Sequence, residues 1–340
     1  MPDKPFIGEG GSQDHAQATQ GTPRPRRRLL PLVQIAALCA LGVFIIRELS
    51  RGLGSVDWSA IRPDWLYVAA SLLLTGVSMV FSATAYRATL ASVGVHPPWP
   101  VMLAATWISR LGKYLPGKVF SVAGLAWILS RRGISGATAT GMVLINAGLG
   151  VIVGFVVAGP MLIMDPIRSY LPQAWVWTAA VVVAGLIAIH PAVFFPIMNR
   201  VLARLGRPPL PLRPRLLSYI RPAVHLLAQW VLLGLALWLL CASVTVDGQP
   251  AIGRDRIGLC ISLSALAVTL GFVVLVSPGG LGVREAVYLL VLGPVIGPGP
   301  AAVVTVGMRL AFTVVELLLA GVGLGLLRAY PPEAVARCES

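Results

Sequence analysis

Charge is scarce in this chain: only 12% of its 340 residues are Asp, Glu, Lys or Arg, against about 25% in a soluble globular protein. That deficit excludes an ordinary water-facing surface and makes lipid the natural solvent. Lysine is nearly missing, with 3 beside 24 arginines. The four cysteines, Cys39, Cys241, Cys260 and Cys338, form no CxxC pair, and three lie in apolar runs, so neither a disulfide framework nor zinc is expected. His15, His96, His190 and His225 are equally scattered, which leaves no metal site. No cofactor is implied. His190 and His225 fall near helix ends and read as packing residues rather than a proton relay. No soluble catalytic domain or recognised catalytic motif appears, which argues against an enzyme.

What the chain does have is apolar length. Hydrophobic residues make up 56% of it, and runs near or above the roughly 20 residues needed to cross a bilayer recur along most of its length. The expectation is an all-α, polytopic integral membrane helical bundle with about eight spans plus a re-entrant broken hairpin. Spans are expected at 30–49, 65–86, 137–163, 174–196, 222–245, 256–276 and 301–327, with 283–297 as a short further crossing or a re-entrant segment. Residues 1–29 read as a disordered basic cytoplasmic tail, 30–328 as the membrane domain and 329–340 as a short tail. The first apolar run is too long for a signal-peptide core and has no convincing cleavage site, so it is expected to stay.

The net charge of +14 does not point to nucleic acid, because the arginines sit in short clusters between apolar runs. They report topology instead, since cytoplasmic loops retain Lys and Arg. RPRRR at 24–28 places the N-terminus inside. The 197–221 loop, with Arg200, Arg204, Arg207, Arg213, Arg215 and Arg221, belongs inside too. Arg131 and Arg132 after the 100–130 stretch make it a re-entrant hairpin on the cytoplasmic side, and Arg328 and Arg337 favour a cytoplasmic C-terminus. The expected location is a bacterial-type plasma membrane. The spacings Gly150 to Gly154 and Gly321 to Gly325 suit close helix packing, and Asn146 suits a bond across helices.

Two constellations carry chemistry. In RLGKYLPGK, Arg110 to Lys118, Pro116 and Gly117 break a helix and a new one can start. A half-helix starting inside the membrane aims unpaired N–H groups and a positive dipole end at its surroundings, and Arg110, Lys113 and Lys118 add full charge. Such a place suits an anion. A compact lysine ammonium serves phosphate as a movable point charge; the ordinary alternative is that Lys113 and Lys118 snorkel to the interface. In SPGGLGVREA, Ser277 to Ala286, Pro278, Gly279 and Gly280 repeat the design, with Gly282, Arg284 and Glu285 opening the next helix. No strand precedes GGLG, which excludes a dinucleotide loop.

In the last span, Arg309 and Glu316 share a helical face. A buried ion there needs a partner, and Arg309, Arg284 and Lys118 are candidates for Glu316. Glu285, Arg309 and Glu316 form either a structural ion pair or a coupling site. The two breaks occupy comparable places in the two halves, the sequence pointer to a transporter's central site and to a two-half pseudo-repeat.

As a pair in this order, the two motifs resemble the membrane domain of bacterial lysylphosphatidylglycerol synthases, a family also called flippase-like. The resemblance covers nearly all of 30–330. It implies a domain that moves aminoacylated phospholipid between leaflets, while a separate domain, not expected in this chain, attaches the amino acid. It also carries Arg110, Lys113, Pro116, Gly117, Lys118, Pro278, Gly279, Gly280, Gly282, Arg284 and Glu285 over as motif positions. Two functions stay open. One is a lipid translocator that binds an anionic phospholipid or polyprenyl-phosphate headgroup at the two breaks. The other is a membrane subunit or enzyme of lipid or glycan synthesis that presents such a lipid to a transferase or synthase partner.

Overall fold

A computed structural model describes residues 62–114, 119–162, 173–204, 206, 209–210, 214–246, 248–274 and 280–330, with Val43, Arg47, Ser50 and Gly54. The expected first span at 30–49 and the tail 1–29 therefore lie outside the described residues, apart from Val43 and Arg47. The chain is an all-α polytopic helical bundle. Among the described residues five helices are long and apolar enough to cross a membrane, and a sixth crossing arises if one bent pair counts as a span.

The first helix, α1 (Trp65–Ala91), starts where the Asp64 carboxylate accepts from the Leu66 amide at 2.9 Å, the usual way to satisfy an orphan N–H. Its inward face is small and polar, with Ser71, Thr75, Ser78, Ser82 and Thr89 all buried, while Leu66 and Leu73 are exposed. This inside-out pattern suits lipid, where close backbone approach and hydrogen bonds hold helices together. The helix runs past the expected end at 86 to Ala91 and stops at a turn closed by Gly94.

Next come α2 (Trp99–Arg110), a 3-10 turn over Leu111–Tyr114, and α3 (Val119–Ser130). A Cβ on Gly124 would lie 3.8 Å from the Ser109 Cβ. A continuous helix would separate residues 109 and 124 by about 22 Å, so α3 folds back along α2. The expected hairpin is present. Then α4 (Gly136–Leu162) packs on both α3 and α5 (Ala174–Ile189).

The expected span at 174–196 is bent. The helix breaks after Ile189 and bends by 63° into α6 (Pro191–Arg204), because Pro191 has no N–H to continue α5 but suits a first helical turn. Arg200 and Arg204, assigned to a loop, thus lie on α6.

The second half follows with α7 (Ile220–Ser243), α8 (Ile257–Val273), α9 (Val283–Ile296) and α10 (Pro298–Ala329). A three-stranded antiparallel ribbon joins β1 (Arg62–Pro63), β2 (Val244–Val246) and β3 (Gln249–Pro250), with Arg62 opposite Thr245 and Thr245 opposite Pro250. The Asp64 amide donates to the Ser243 carbonyl at 2.8 Å and the Ser71 hydroxyl to the Ala236 carbonyl at 2.7 Å, so α1 and α7 run antiparallel at the centre of the bundle.

A Cβ on Gly280 would sit 3.1 Å from the Gly271 Cα, so α9 returns along α8 as a second hairpin. With 14 residues, α9 is about 21 Å long, short of the roughly 30 Å hydrocarbon core. Gly297, at φ 88°, makes the single-residue turn into α10, a conformation glycine adopts without strain.

The order of elements recurs along the chain: α1, hairpin α2–α3 and α4 come first, and α7, hairpin α8–α9 and α10 follow after α5 and α6. Packing crosses between the two sets, with α2 against α10 and α8 against α4. Contacts of Gly323 with Ala104 and of Glu316 with Lys113 make α2 and α10 antiparallel. Those of Gly154 with Thr269 and of Val157 with Ser262 do the same for α4 and α8. Gly154 and Gly150 face neighbouring helices as expected. Gly321 and Gly325 do not, having open space beside them, and Gly323 makes the close approach instead.

Candidate functional site

The tips of both hairpins converge beside Phe312, near the middle of α10. The Lys113 ammonium lies 5.9 Å and the Arg284 guanidinium 5.7 Å from the centre of that ring, within range of a cation–π attraction. Lys113 Nζ donates to Glu316 Oε1 at 2.5 Å, and Arg110 Nη1 lies 4.0 Å from the same oxygen. The Glu316 side chain is fully buried. Arg110 is steadied by its Nη2, which donates to the Ser82 hydroxyl at 2.8 Å.

Arg284 reaches the same place by another route. Its side chain passes between Gly271 and Gly280, where an added Cβ would lie 2.8 Å and 3.0 Å from it. Among the described residues the guanidinium has no ion pair, and its buried Nε has no hydrogen-bond partner. Glu285, one residue on, turns the other way. Its Oε2 accepts from the Gly282 amide at 2.7 Å and its Oε1 from Arg309 Nη1 at 3.3 Å. A carboxylate of the chain itself thus caps α9 and faces the positive end of its dipole.

Of the candidate partners of Glu316, Arg309 turns elsewhere. Seven residues along a helix rise about 10.5 Å, so sharing a face does not bring the two charges together. Arg309 pairs with Glu285 of the facing hairpin, and Glu316 pairs with Lys113 and Arg110. Arg284 makes no direct bond to Glu316. Lys118, Pro116, Gly117, Pro278 and Gly279 lie outside the described residues.

A cavity of about 200 Å³ joins these groups, lined by Arg110, Lys113, Arg284 and Glu316 together with neutral polar side chains. Sequence reading did not single out Ser82, Gln229, Trp230, Thr269, Gly271 or Phe312, all of which line it. The recurrence of Ser71, Thr75, Ser78 and Ser82 in a leucine-rich run was the available signal, because such spacing marks one helix face. Asn146 bonds across helices as expected, lying 2.9 Å from the Thr89 hydroxyl. His190 terminates α5 and His225 lies in the first turns of α7. Neither lines the cavity.

No curated protein sequence matches the chain. A family model does, over residues 31–321, and its description is Lysylphosphatidylglycerol synthase TM region. The match takes in both hairpins and every described charged residue of the cavity, and agrees with the helical bundle of apolar spans. This chain belongs to the Lysylphosphatidylglycerol synthase TM region family and is a multi-pass membrane protein of lipid metabolism or transport.

Proposed function

We propose that the chain is a lipid translocator that holds an anionic phospholipid or polyprenyl-phosphate headgroup between its two hairpin tips. The observation that carries this reading is the convergence of Arg110, Lys113 and Arg284 on one cavity with Glu316 as its one carboxylate among the described residues. The phosphate accepts from Arg284 and Lys113 while the acyl or prenyl tails remain in lipid. Two sets of elements in the same order, each with a broken helical hairpin, support passage of a headgroup past a central site.

Arg132 donates to the carbonyls of Leu327, at 3.1 Å, and Tyr330, which ties the base of hairpin α2–α3 to the end of α10. Arg131, Arg132 and Arg328 share that end, and their positive charge assigns it to the cytoplasm of a bacterial-type plasma membrane. The N-terminus lies on the same side.

The test is reconstitution in liposomes carrying leaflet-specific lipid reporters. The protein should accelerate exchange of an anionic lipid over protein-free vesicles. Arg284→Ala should slow it by about tenfold or more, since a hydrogen bond to a charged group contributes about 1.5–3 kcal/mol. Binding without any acceleration, together with product formation that requires a co-purified transferase, would transfer the cavity to the lipid-presenting role.

A further inference from the structure

Glu316 lies behind the cations it holds. Its side chain is fully buried, whereas those of Lys113 and Arg110 are 16% and 25% exposed and line the cavity. An anion entering the cavity therefore meets Lys113 first, and that ammonium is already 2.5 Å from Glu316 Oε1.

Two courses are open once an anion accepts from Lys113, and both act on Glu316. If the ammonium keeps its bond to Oε1, an anion oxygen at a charge-assisted distance of about 2.8 Å stands within about 5.3 Å of the carboxylate oxygen. Like charges so close oppose each other's ionisation, on the order of a hundredfold at an effective dielectric constant of about 20. If the ammonium instead follows the anion, the buried carboxylate loses its nearest cation, and the neutral acid is cheaper to keep there. Either way an anion on Lys113 and a proton on Glu316 favour one another, and linkage makes the effect mutual. A phosphodiester is the stronger acid of the two, so the proton resides on the carboxylate.

The surroundings leave that role to Glu316. The ionisable side chains around it in the cavity are Arg110 of α2, Lys113 of the 3-10 turn, Arg284 of α9 and Tyr86 of α1. The α7 helix also packs on α10 but adds no ionisable side chain to the lining among the described residues. Glu285 is committed to Arg309 and the Gly282 amide. The proton has a route as well: Lys113 passes one to Oε1 along their hydrogen bond, and the amine recovers one from the side to which the cavity is open.

We propose, building on the translocator reading, that Glu316 is a proton site coupled to the headgroup. Anion and proton enter the cavity together and leave it together on the other side. A phosphodiester headgroup then crosses without net charge, and the transmembrane pH gradient drives it.

The experiment places the full chain in phosphatidylcholine vesicles with a trace of acyl-labelled phosphatidylglycerol. With the membrane potential held at zero by potassium and valinomycin, a gradient of one pH unit should draw the label toward the leaflet on the alkaline side. The leaflet ratio should approach about tenfold, the value for one proton per headgroup by linkage, and exceed that of protein-free vesicles. Glu316→Gln keeps an acceptor for Lys113 and should lose this response. Whatever exchange remains in the variant should follow an imposed potassium diffusion potential, because the charge then crosses uncompensated. A Glu316 that serves structure alone would alter stability and rate but move neither readout. A ratio indifferent to the pH gradient in the unsubstituted chain, or a response unchanged in the variant, overturns the coupling while leaving translocation intact. If no lipid crosses, the translocator reading fails, and the coupling is read from binding. Calorimetry of short-chain phosphatidylglycerol with the detergent-solubilised chain, in two buffers of different ionisation enthalpy between about pH 6 and 7, should show proton uptake that Glu316→Gln abolishes. No uptake by the unsubstituted chain, or equal uptake by the variant, overturns it.

Discussion

The two hairpins share a scaffold and differ in where their charges go. Hairpin α2–α3 sends Arg110 and Lys113 across to Glu316 of the other half. Hairpin α8–α9 keeps Glu285 for its own first turn and for Arg309, and leaves Arg284 in the cavity without an ion pair among the described residues. The long helices differ in step: α10 carries Arg309 and Glu316 mid-helix, whereas α4 carries no charge and has Asn146 there instead. Hairpins of like design therefore do not make like sites. One cationic cavity results, and Glu316, its one carboxylate among the described residues, doubles as the ionic link between the halves.

The sharpest way to break that arrangement is Glu316→Ala. It strands two partly buried cations, and removing one partner of a buried pair costs about 3–5 kcal/mol. Thermal unfolding in detergent should fall more for this variant than for any other named here. A loss no larger than that of a surface substitution would mean that the link between the halves is packing alone. Glu285→Ala should cost less, about 1.5–3 kcal/mol, because it loosens hairpin α8–α9 within one half. Its signature is a local rise in hydrogen exchange over the start of α9, with the α1–α7 interface unchanged.

The glycines test how tightly each hairpin is closed. Gly271→Ala places a Cβ 2.8 Å from the Arg284 Cγ, whereas Gly124→Ala meets Ser109 at an ordinary 3.8 Å. The first should cost about 1 kcal/mol, the low end for overpacking because an arginine chain can yield. The second should be neutral or slightly stabilising, since Ala favours a helix over Gly by about 1 kcal/mol. Equal effects would erase the distinction between the two closures.

Proline and glycine made the breaks legible in the sequence, because their backbone consequences are local and do not depend on what packs nearby. The spans were legible for the same reason, since twenty apolar residues need no tertiary context. The charge partners were not. Whether Glu316 meets Arg309 or Lys113 depends on which helix faces α10, and that is decided by the exchange of α2 and α8 between the halves. The bend at Pro191 was open to reading from proline alone. The uncharged lining of the cavity was harder, because Gln229, Trp230 and Thr269 each look incidental until α7 and α8 are set side by side.

The smallest expected effect concerns the neutral counterpart of the charged site. Asn146 and Thr89, 2% and 0% exposed, meet at 2.9 Å between α4 and α1, and the Thr89 hydroxyl also lies 2.9 Å from the Ala85 carbonyl. One hydroxyl proton cannot serve both acceptors. If it goes to Ala85, Asn146 turns its amide nitrogen toward the Thr89 oxygen, an assignment hydrogen-bond geometry allows. Interhelical bonds of this kind contribute about 0.6 kcal/mol in membranes. A double-mutant cycle with Thr89→Val and Asn146→Leu should return a coupling of about that size, several-fold below the loss from Glu316→Ala. A coupling of several kcal/mol would make α4 as strongly tied as α10, and the contrast between a charged and a neutral half would no longer describe how the bundle is held.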